Sequence, residues 1–415
     1  MALILSSHSL FGEDSNLGIS SNPGAVNIQT GTGELGKFLG IEEETGITFG
    51  GLLIEDGNWL MSGGSGLHHN RRWTGNSLFI LDLLIDLEKS IGWKGALFGA
   101  DFLQFNGQTT NADAGVVQGY NSLPGPPPLN RSELYELWLR QELFDKKLTI
   151  RIGKTVPTND FNNVLKPVPV LNVELAIPEV SGLIYTPIFV NTTLLGVIPG
   201  YYNSACGVTV TVAPNKATYI SAGAYDGNLA RGVQTGLTGP HFNGYYFTIA
   251  EMGYAWTTPE DKKPGNVALG GWRQIGRLGT GAITENGAAG IYAFGAQCVW
   301  MREPGTTKQG SISAFFQLGW NGSKTLPMNR YAGLGFTGFA LIPSRPQDSL
   351  GAGIAWSKLN KHIFERSQEW MFQAYYQAHI INTTFLETAF SYVPKPGATD
   401  KINTTAWTAR IILLF

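Results

Sequence analysis

The clearest pattern in the chain is an alternation of apolar and polar side chains between Glu133 and Phe144. In a β-strand, successive side chains point to opposite faces. The apolar face would consist of Tyr135, Leu137, Leu139 and Leu143, and the polar face of Glu136, Trp138, Arg140 and Glu142. A helix would instead scatter the charges around its circumference. The segment is therefore predicted to be a strand with one apolar face and one charged face.

A second alternating segment follows at once and predicts a tight hairpin. The polar sequence at 145–147 leads into residues 148–153, where Leu and Ile alternate with Thr, Arg and Gly. In such a hairpin Arg140, Glu142 and Arg151 fall on the same side of the sheet. The sequence thus predicts a cluster of opposite charges on one face of two neighbouring strands.

The same alternation recurs along most of the chain. Clear examples are residues 78–88, 96–105, 208–212, 311–320, 369–379 and 407–415. Counting such segments gives roughly 14 to 18 strands, which is too many for side chains to fill the space that they enclose. The longest stretch without charge, Val180–Asn215, is interrupted by Pro, Gly and Asn and cannot be a membrane helix. The predicted fold class is all-β, an antiparallel β-barrel around an aqueous lumen.

Composition decides which face of these strands meets water. Charged residues make up 14% of the chain, whereas Gly occurs 53 times and aromatic residues reach 12%. A soluble β-sandwich alternates in the same way but exposes many Lys and Glu, and here the polar face holds mainly Gly, Ser, Thr and Gln. Aromatic residues stand at strand ends, at Trp300, Trp320, Trp370 and Tyr392. A polar interior and an aromatic girdle are typical of a transmembrane barrel, and the soluble sandwich is the alternative.

Two stretches depart from the strand pattern. Leu35, Phe38, Leu39 and Glu42 recur at helical spacing, which predicts a short amphipathic helix in an N-terminal segment, residues 1–45. The barrel would then occupy residues 46–415. Within it, residues 156–204 contain six prolines and only broken alternation. Because loops of this length are usually functional, we expect this one to fold into the lumen as an inner constriction loop.

Charge and motifs exclude several classes of function. The net charge of −2 provides no field that would attract nucleic acid. Gly31–Gly36 matches a dinucleotide-binding fingerprint, but strand alternation follows it instead of a βαβ unit. His68 and His69 are sequence neighbours that would point to opposite faces of a strand, and Cys206 and Cys298 lack metal-ligand spacing. We expect no metal, no cofactor and no catalytic residue, and the enzyme alternative, a barrel hydrolase, lacks a G-x-S-x-G motif.

Two groups of residues are suited to binding sugars. Arg71, Arg72 and Trp73 combine guanidinium groups, which satisfy neighbouring hydroxyls, with an indole face that covers the C–H side of a pyranose. The alternative for this triplet is a headgroup anchor at the barrel rim. The second group combines charges of both signs with an aromatic ring on the lumen side: Glu136, Trp138, Arg140, Glu142 and Arg151. Its alternative is an ordinary porin lumen whose charges only set ion preference.

Several stretches of the chain resemble the OprB-type carbohydrate-selective porins of Gram-negative outer membranes. They are 81–95 (LDLLIDLEKSIGWKG), 133–154 (ELYELWLRQELFDKKLTIRIGK) with Asp160-Phe161, 224–228 (AYDGN), 300–305 (WMREPG) and 341–353 (LIPSRPQDSLGAG). The resemblance runs from about Gly33 to the end of the chain. The final Phe415, after alternating apolar residues, is similar to the signal that the outer-membrane insertion machinery reads.

This resemblance implies a monomeric 16-stranded barrel in which inward-folded loops form a narrow eyelet for glucose and related sugars. The eyelet residues carried over from the matching strands are Glu136, Trp138, Arg140, Arg151 and Lys154. Asp160 joins them from the next matching stretch. The segment after Phe161 departs from the family because it is rich in Pro and Asn and poor in charge. Its eyelet residues therefore do not align, and the range of sugars stays open.

The function expected from the sequence is passive diffusion of carbohydrates, glucose-like monosaccharides or small oligosaccharides, across an outer membrane. The partners expected are the passing sugars, the membrane lipid and the insertion machinery. The alternatives are a general porin without solute preference and a secreted β-sandwich adhesin.

Overall fold

The computed structural model describes residues 33–65, 71–123, 129–162, 204–228, 239–260, 263–302 and 310–415. Sixteen strands are found in these ranges. They are β1 (Ile47–Ser62), β2 (Arg72–Asp86), β3 (Ala96–Asn106), β4 (Asn130–Leu143), β5 (Leu148–Thr155), β6 (Ala205–Val212), β7 (Thr218–Asp226), β8 (Tyr246–Thr257), β9 (Pro264–Thr280), β10 (Ile283–Met301), β11 (Ser311–Asn321), β12 (Met328–Phe339), β13 (Ser349–Leu359), β14 (Gln368–Ile381), β15 (Thr384–Pro394) and β16 (Asn403–Leu414).

These strands form one closed antiparallel barrel. Each strand pairs with its neighbours in sequence, and β1 pairs with β16 to close the ring. Closure leaves no strand edge unpaired, which is the condition for a sheet to lie in a membrane. The predicted antiparallel barrel of about 16 strands is therefore confirmed.

Helices within the described ranges are few and short. They are α1 (Glu34–Phe38), α2 (Leu87–Ile91), α3 (Thr110–Asp113) and α4 (Pro157–Asp160), with a 3-10 turn at Glu43–Thr45. The first of them confirms the short N-terminal helix predicted from the sequence. No helix of the described ranges is long and apolar enough to cross a membrane.

Strand β14 illustrates how the alternation divides the wall into two faces. Trp370 and Phe372 are 40% and 42% exposed on the outside, whereas Glu369, Gln373 and Gln377 are buried on the lumen side. Strand β11 behaves in the same way. In the part of the chain that the structure describes, the apolar face meets no second sheet. The prediction of an apolar outer face and a polar lumen is thus confirmed, and the sandwich is excluded.

An aromatic cluster marks the outer face near one end of the barrel. Trp59 lies opposite both Trp73 and Trp407 in the strand register. Its ring is stacked on Trp73 with centroids 5.4 Å apart, and Trp73 meets Trp407 edge-on at 6.0 Å. Such amphipathic rings are typical of the boundary between hydrocarbon and headgroups.

One residue of the best-predicted strand lies on the wrong face. The register of β3 and β4 shifts between Asp101 and Phe102, so Tyr135 is the inserted residue of a β-bulge. This bulge turns its side chain away from the outer surface, and Tyr135 is buried although the alternation placed it with Leu137. The alternation of side chains predicts the wrong face for Tyr135 because the bulge inserts one residue into the strand.

The abundance of glycine has a structural explanation on the lumen side. Several lumen-facing rings lie flat over a glycine directly opposite on the neighbouring strand. A Cβ atom on Gly253 would lie 2.0 Å from Tyr219, and one on Gly270 would lie 2.2 Å from Tyr292. Real Cβ atoms never come so close, so only glycine leaves room for these rings. Large aromatic residues can therefore line the wall without filling the lumen.

The two ends of the barrel differ in the length of their connections. At one end β1 begins, β16 ends and turns such as residues 144–147 and 382–383 are short, whereas the other end has longer connections, including those from β3 to β4 and from β5 to β6. In outer-membrane barrels the longer loops are extracellular. At the terminal end the backbone of Phe415 exchanges two hydrogen bonds with Gly51, at 2.8 and 3.0 Å.

Candidate functional site

The β4–β5 hairpin brings the predicted charges to one lumen-facing patch. Arg140 and Arg151 lie directly opposite each other in the register. Arg140 forms an ion pair with Glu142 on its own strand at 2.8 Å, and the two side chains remain 14% and 11% exposed. The like charges on neighbouring strands would repel each other, and the nearby carboxylates compensate them.

Trp138 completes this patch with an aromatic ring. The guanidinium carbon of Arg151 lies 5.5 Å from the centre of the Trp138 ring, within the range of a cation–π contact. The ring also covers Gly99 on β3, where a Cβ atom would approach it to 2.3 Å. The indole is thus held flat against the wall, and its orientation is fixed by packing.

The residues after β5 run along the lumen wall and are held by buried side chains. Asp160 in α4 forms an ion pair with Arg151 and accepts a hydrogen bond from Thr209 at 2.9 Å. Before α4, the backbone N–H of Val156 donates to Glu136 at 2.6 Å. The structure therefore brings Asp160 and Glu136 into the same patch as Arg151.

A carboxylate on β8 fixes the far end of this short segment. Glu251 accepts hydrogen bonds from the hydroxyls of Tyr219 at 2.5 Å and Tyr292 at 2.7 Å. It also accepts one from the backbone N–H of Asn162 at 2.7 Å. Residues 156–162 are consequently attached to the wall at β4, β5, β6 and β8. The rest of the predicted constriction loop, residues 163–203, lies outside the described residues.

A second segment enters the lumen, and sequence reasoning did not predict it. Residues 107–123, here called the inner loop, leave β3 and lie inside the barrel. Gln118, Tyr120 and Asn121 are 0%, 1% and 0% exposed. The loop has only one charged residue, Asp113, which pairs with Arg72 at 3.4 Å.

A buried ion pair holds the inner loop at one point. Arg410 on β16 donates two hydrogen bonds to Asp56 on β1, at 2.7 and 2.8 Å. The amide nitrogen of Asn121 donates to Asp56 at 2.7 Å and to Asn58 at 2.8 Å. Arg410 in turn donates to the amide oxygen of Asn121 at 3.2 Å. The loop amide is thereby inserted into a charge pair of the wall.

A second carboxylate holds the loop backbone. Glu369 on β14 accepts hydrogen bonds from the N–H groups of Val117 at 3.1 Å and Gln118 at 2.9 Å. The N–H of Gly397, in the loop between β15 and β16, donates to the same carboxylate at 2.6 Å. Three donors compensate the buried charge, so the carboxylate and the loop stabilise each other.

Three of the residues predicted to bind solute are not brought together with this patch. Arg71 is exposed in the loop before β2, and Arg72 pairs with the inner loop. Trp73 lies on the outer face, 54% exposed, which fits the alternative of a headgroup anchor. Lys154 is buried near Glu136, where β4 and β5 separate, and donates to the carbonyl oxygen of Leu134. The alternation itself separates Arg72 from Trp73, because neighbours in a strand face opposite sides.

The described residues offer little for metal or thiol chemistry. Within these ranges no group of three or more His, Cys, Asp or Glu side chains is arranged to hold a metal ion. Cys206 and Cys298 are free thiols. His68 and His69 lie outside the described residues.

Sequence reasoning missed the inner loop and the carboxylates that hold it. Residues 107–123 carry no alternation and almost no charge, so the pattern predicts only a connection. Their partners Glu369 and Arg410 lie 252 and 289 positions away from Val117 and Asn121. A run of small and amide side chains beside a strand was the only signal, and it does not specify where a loop folds.

Comparison with known proteins gives several related porins. Porin B of Pseudomonas aeruginosa is 23% identical over 376 residues, which cover 78% of each chain. The high-pH structure of Pseudomonas putida OprB has a TM-score of 0.76 at 17% identity and covers 92% of this chain and 98% of that one. The low-pH structure of the same protein has a TM-score of 0.59 at 14% identity, with 92% and 97% covered.

These relatives and the closed barrel point to the outer membrane of a Gram-negative bacterium, and porins are channels rather than enzymes. Residues 79–409, most of the chain, match the family described as "Carbohydrate-selective porin, OprB family". The chain belongs to this family of carbohydrate-selective porins.

Proposed function

We propose that the protein is a passive channel selective for glucose-like monosaccharides or small oligosaccharides, and that the patch on β4, β5 and α4 forms its selective constriction. The residues that we assign to the constriction are Glu136, Trp138, Arg140, Glu142, Arg151 and Asp160. The observation that carries the proposal is the Trp138 ring held flat against the wall beside guanidinium and carboxylate groups of opposite charge.

The chemistry of a sugar fits such a patch. A pyranose has one C–H face, which an indole covers, and a rim of hydroxyls that both donate and accept hydrogen bonds. Arg140 and Arg151 offer donors in a planar fork, and Glu142 and Asp160 offer acceptors. Because the charges are of both signs, a neutral solute is favoured over an ion of either sign. The ion pair of Arg140 and Glu142 stays partly exposed and can exchange partners with a passing hydroxyl.

Transport through such a site has to be passive and binding has to stay weak. A solute that is held tightly cannot leave, so selectivity arises from many modest contacts that are broken in turn. The alternative function, a general porin without solute preference, makes the same charges responsible for ion preference alone.

Planar-bilayer recording separates the two functions. We expect glucose and small oligosaccharides to reduce the ion current in a saturable way at the single-channel level. Sorbitol carries similar hydroxyls without a pyranose face and serves as the matched control, for which weak block is expected. A current that falls only in proportion to solution viscosity, equally for glucose and sorbitol, would establish the general porin instead.

We also propose that the outer-membrane insertion machinery reads the C-terminal strand, and that a single chain forms the channel. Support comes from the apolar alternation up to Phe415 and from the β1–β16 pairing that closes one chain on itself. Replacing Phe415 by Ala is expected to lower the amount of folded protein in the outer membrane. Sedimentation in detergent should give the mass of one chain.

A further inference from the structure

We propose that the outer face of β11, β12 and β13 binds the phosphate group of an anionic phosphorylated lipid, with Arg330 and Lys358 as the binding residues, here called the basic pair. The lipid belongs to the outer leaflet, on the side of the longer connections. The proposal concerns the wall that faces the membrane and no residue of the lumen. It is independent of sugar binding at Trp138, so the two proposals can fail separately.

The basic pair lies on the outside of the wall, near the end of the barrel that has the longer connections. Arg330 on β12 and Lys358 on β13 are directly opposite each other in the register, and both are exposed. Their sequence neighbours Tyr331 and Ser357 are buried, and Ser357 donates to Gln118 of the inner loop at 3.0 Å. Because neighbours in a strand face opposite sides, the two basic side chains point away from the lumen.

The two charges of the basic pair face each other without compensation from the chain. Side chains directly opposite in a sheet have Cβ atoms about 5 Å apart, and like charges at such positions are destabilising. In the part of the chain that the structure describes, neither side chain of the pair forms an ion pair or a hydrogen bond. Arg140 and Arg151 are also opposite each other, but Glu142 and Asp160 compensate them. An anion from outside the chain would therefore stabilise the outward pair.

Two carboxylates at the same end of the barrel are bound elsewhere. Glu285 on β10 accepts hydrogen bonds from the hydroxyl of Thr325 at 2.5 Å and from the N–H of Lys324 at 3.0 Å. Glu369 on β14 is buried and holds the backbone of the inner loop. Both are satisfied within the fold, so neither serves as a counter-charge for the basic pair.

The position of the basic pair along the wall matches the level of lipid headgroups. Trp320 on β11 lies opposite Arg330 in the register and is 46% exposed. Trp356 and Trp370 are opposite each other on β13 and β14, and Lys358 lies two residues beyond Trp356 toward the end of its strand. Aromatic rings of this kind mark the boundary between hydrocarbon and headgroups. The charges of the pair therefore lie at the depth of the phosphate groups.

A small side chain next to the basic pair leaves a shallow groove in the apolar surface. Ala332 on β12 is flanked in the register by Leu318 on β11 and Trp356 on β13. Leu318 is 45% exposed, and Leu334, the next outward residue on β12, is 52% exposed. An acyl chain of a bound lipid can lie in this groove and bury apolar surface. A soluble anion makes no such contact, so the surface fits a lipid better than free phosphate.

A phosphate group fits the basic pair in charge and in geometry. The planar guanidinium of Arg330 can donate two parallel hydrogen bonds to phosphate oxygens. The ammonium of Lys358 adds a compact charge with three donors. One anion between them replaces repulsion by attraction. A headgroup without net negative charge would leave the repulsion in place, so an anionic phosphorylated lipid is the expected partner.

Native mass spectrometry of the protein in detergent measures lipid binding directly. The probe is lipid A, a phosphorylated and acylated glucosamine disaccharide, and the same lipid after enzymatic removal of its phosphates is the comparison. The double variant Arg330→Gln with Lys358→Gln should bind lipid A about tenfold more weakly than the original protein, because two cationic contacts are lost. Removal of the phosphates should weaken binding to the original protein by a similar factor. Lys147→Gln with Lys216→Gln removes the same charge from exposed turns at the terminal end and serves as the matched control.

Two further measurements separate lipid binding from a structural role. Ala332→Trp fills the groove without changing any charge, and it should weaken binding of lipid A. In detergent without lipid, the double variant should unfold at the same or a slightly higher temperature than the original protein, because a repulsion is removed. Added lipid A should raise the unfolding temperature of the original protein more than that of the double variant.

Several outcomes would overturn the proposal. It is refuted if the double variant binds lipid A as tightly as the control variant, or if lipid A without phosphates binds as tightly as lipid A. Displacement of lipid A by millimolar inorganic phosphate would identify a site for a soluble anion instead. If the double variant does not fold, the comparison of the two lipids on the original protein decides alone. Absence of glucose block in bilayers would contradict only the proposed sugar selectivity.

Discussion

Two regions inside this barrel are built from similar polar residues and are used in opposite ways. In the β4–β5 patch, Arg140 and Glu142 pair along one strand and keep 14% and 11% of their side chains exposed. At the inner loop, Arg410 and Asp56 pair across two strands and are 2% and 0% exposed, with Asn121 between them and the lumen. The first pair can exchange hydrogen bonds with a solute, whereas the second binds the protein's own loop.

The difference shows that charge in a porin lumen is not by itself a sign of solute binding. What matters is whether the protein already supplies the remaining hydrogen-bond partners. Glu369 and Glu251 accept bonds from backbone N–H groups of inward-folded segments, so they hold structure. A buried carboxylate of this kind is satisfied within the fold, and the same holds for Glu136, which supports the β4–β5 patch by accepting from Val156. The partly exposed Arg140 and Glu142 remain for the passing solute.

The largest effect is expected from replacing the arginines of the two regions. Arg410→Ala leaves Asp56 buried without its partner, and we expect a loss of about 3–5 kcal/mol in the free energy of unfolding. Arg140→Ala removes a pair that is still in contact with solvent and should cost about 1 kcal/mol or less. Unfolding in denaturant, followed by electrophoretic mobility in detergent, measures both. Equal losses would contradict the distinction between the regions.

A glycine exchange tests whether ring packing holds the segment after β5. Gly270→Val would displace the Tyr292 ring and with it the hydrogen bond to Glu251, which also holds Asn162. Overpacking of this kind costs about 1–3 kcal/mol, so thermal unfolding should shift downward accordingly. On the next residue, Gly271, the nearest atom to an added Cβ is 3.6 Å away. Gly271→Val is therefore the control, and an equal shift in both variants would argue against the ring contact.

Arg140→Ala also sharpens the functional side of the comparison. Because the guanidinium donates to sugar hydroxyls in the proposed site, its loss should weaken glucose block by about fivefold, corresponding to about 1 kcal/mol. The ratio of cation to anion permeability should rise, since one positive charge leaves the lumen. The variant should still fold, because the expected loss in the free energy of unfolding is about 1 kcal/mol or less. Reversal potentials and block curves from the same bilayers measure both effects, and unchanged values would remove Arg140 from the constriction.

The smallest effect concerns a charge pair at the terminal end, outside both regions. Asp348, in the turn between β12 and β13, is partly buried, which opposes ionisation. Hydrogen bonds from Arg345 at 2.7 Å, from Tyr376 and from the N–H of His379 nevertheless hold its pKa below the ordinary value. A lowered pKa stabilises the fold above the unfolded-state value of about 3.9, and this contribution is lost as the pH falls below it. In Asp348→Asn, the free energy of unfolding should no longer show this small decrease as the pH falls. If the free energy of unfolding of the variant, measured over the same pH range, still shows the decrease, the assignment is contradicted.

The sequence predicted the wall of the barrel well because its signal is local. Period two requires only neighbouring residues, and it placed Arg140, Glu142 and Arg151 on one side and Trp370 with Phe372 on the other. The alternation predicted the wrong face for Tyr135, because a bulge shifts the register there. This shift depends on the pairing with the neighbouring strand. Trp73 was grouped with Arg72 although the alternation already separates the two.

The position of the inner loop could not be predicted from the sequence, for a different reason. Its attachment depends on Asp56, Glu369 and Arg410, which approach it only when the barrel closes. No spacing in the sequence records contacts over such separations. The lumen-facing rings of Tyr219 and Tyr292 were missed similarly, because the glycines that make room for them lie on neighbouring strands. The face on which a side chain lies depends on its own strand and could be predicted. Contacts that form only when the barrel closes could not.

The most direct test of the account is a comparison of two tryptophans on opposite faces of the wall. Glucose titrations of the single-channel current should be recorded for Trp138→Leu and Trp73→Leu. We expect Trp138→Leu to raise the half-blocking concentration about tenfold, since stacking of an aromatic ring contributes about 1 kcal/mol or more. Trp73→Leu should leave it unchanged. Equal block in both variants and the original protein would show that the indole on β4 does not contact the sugar.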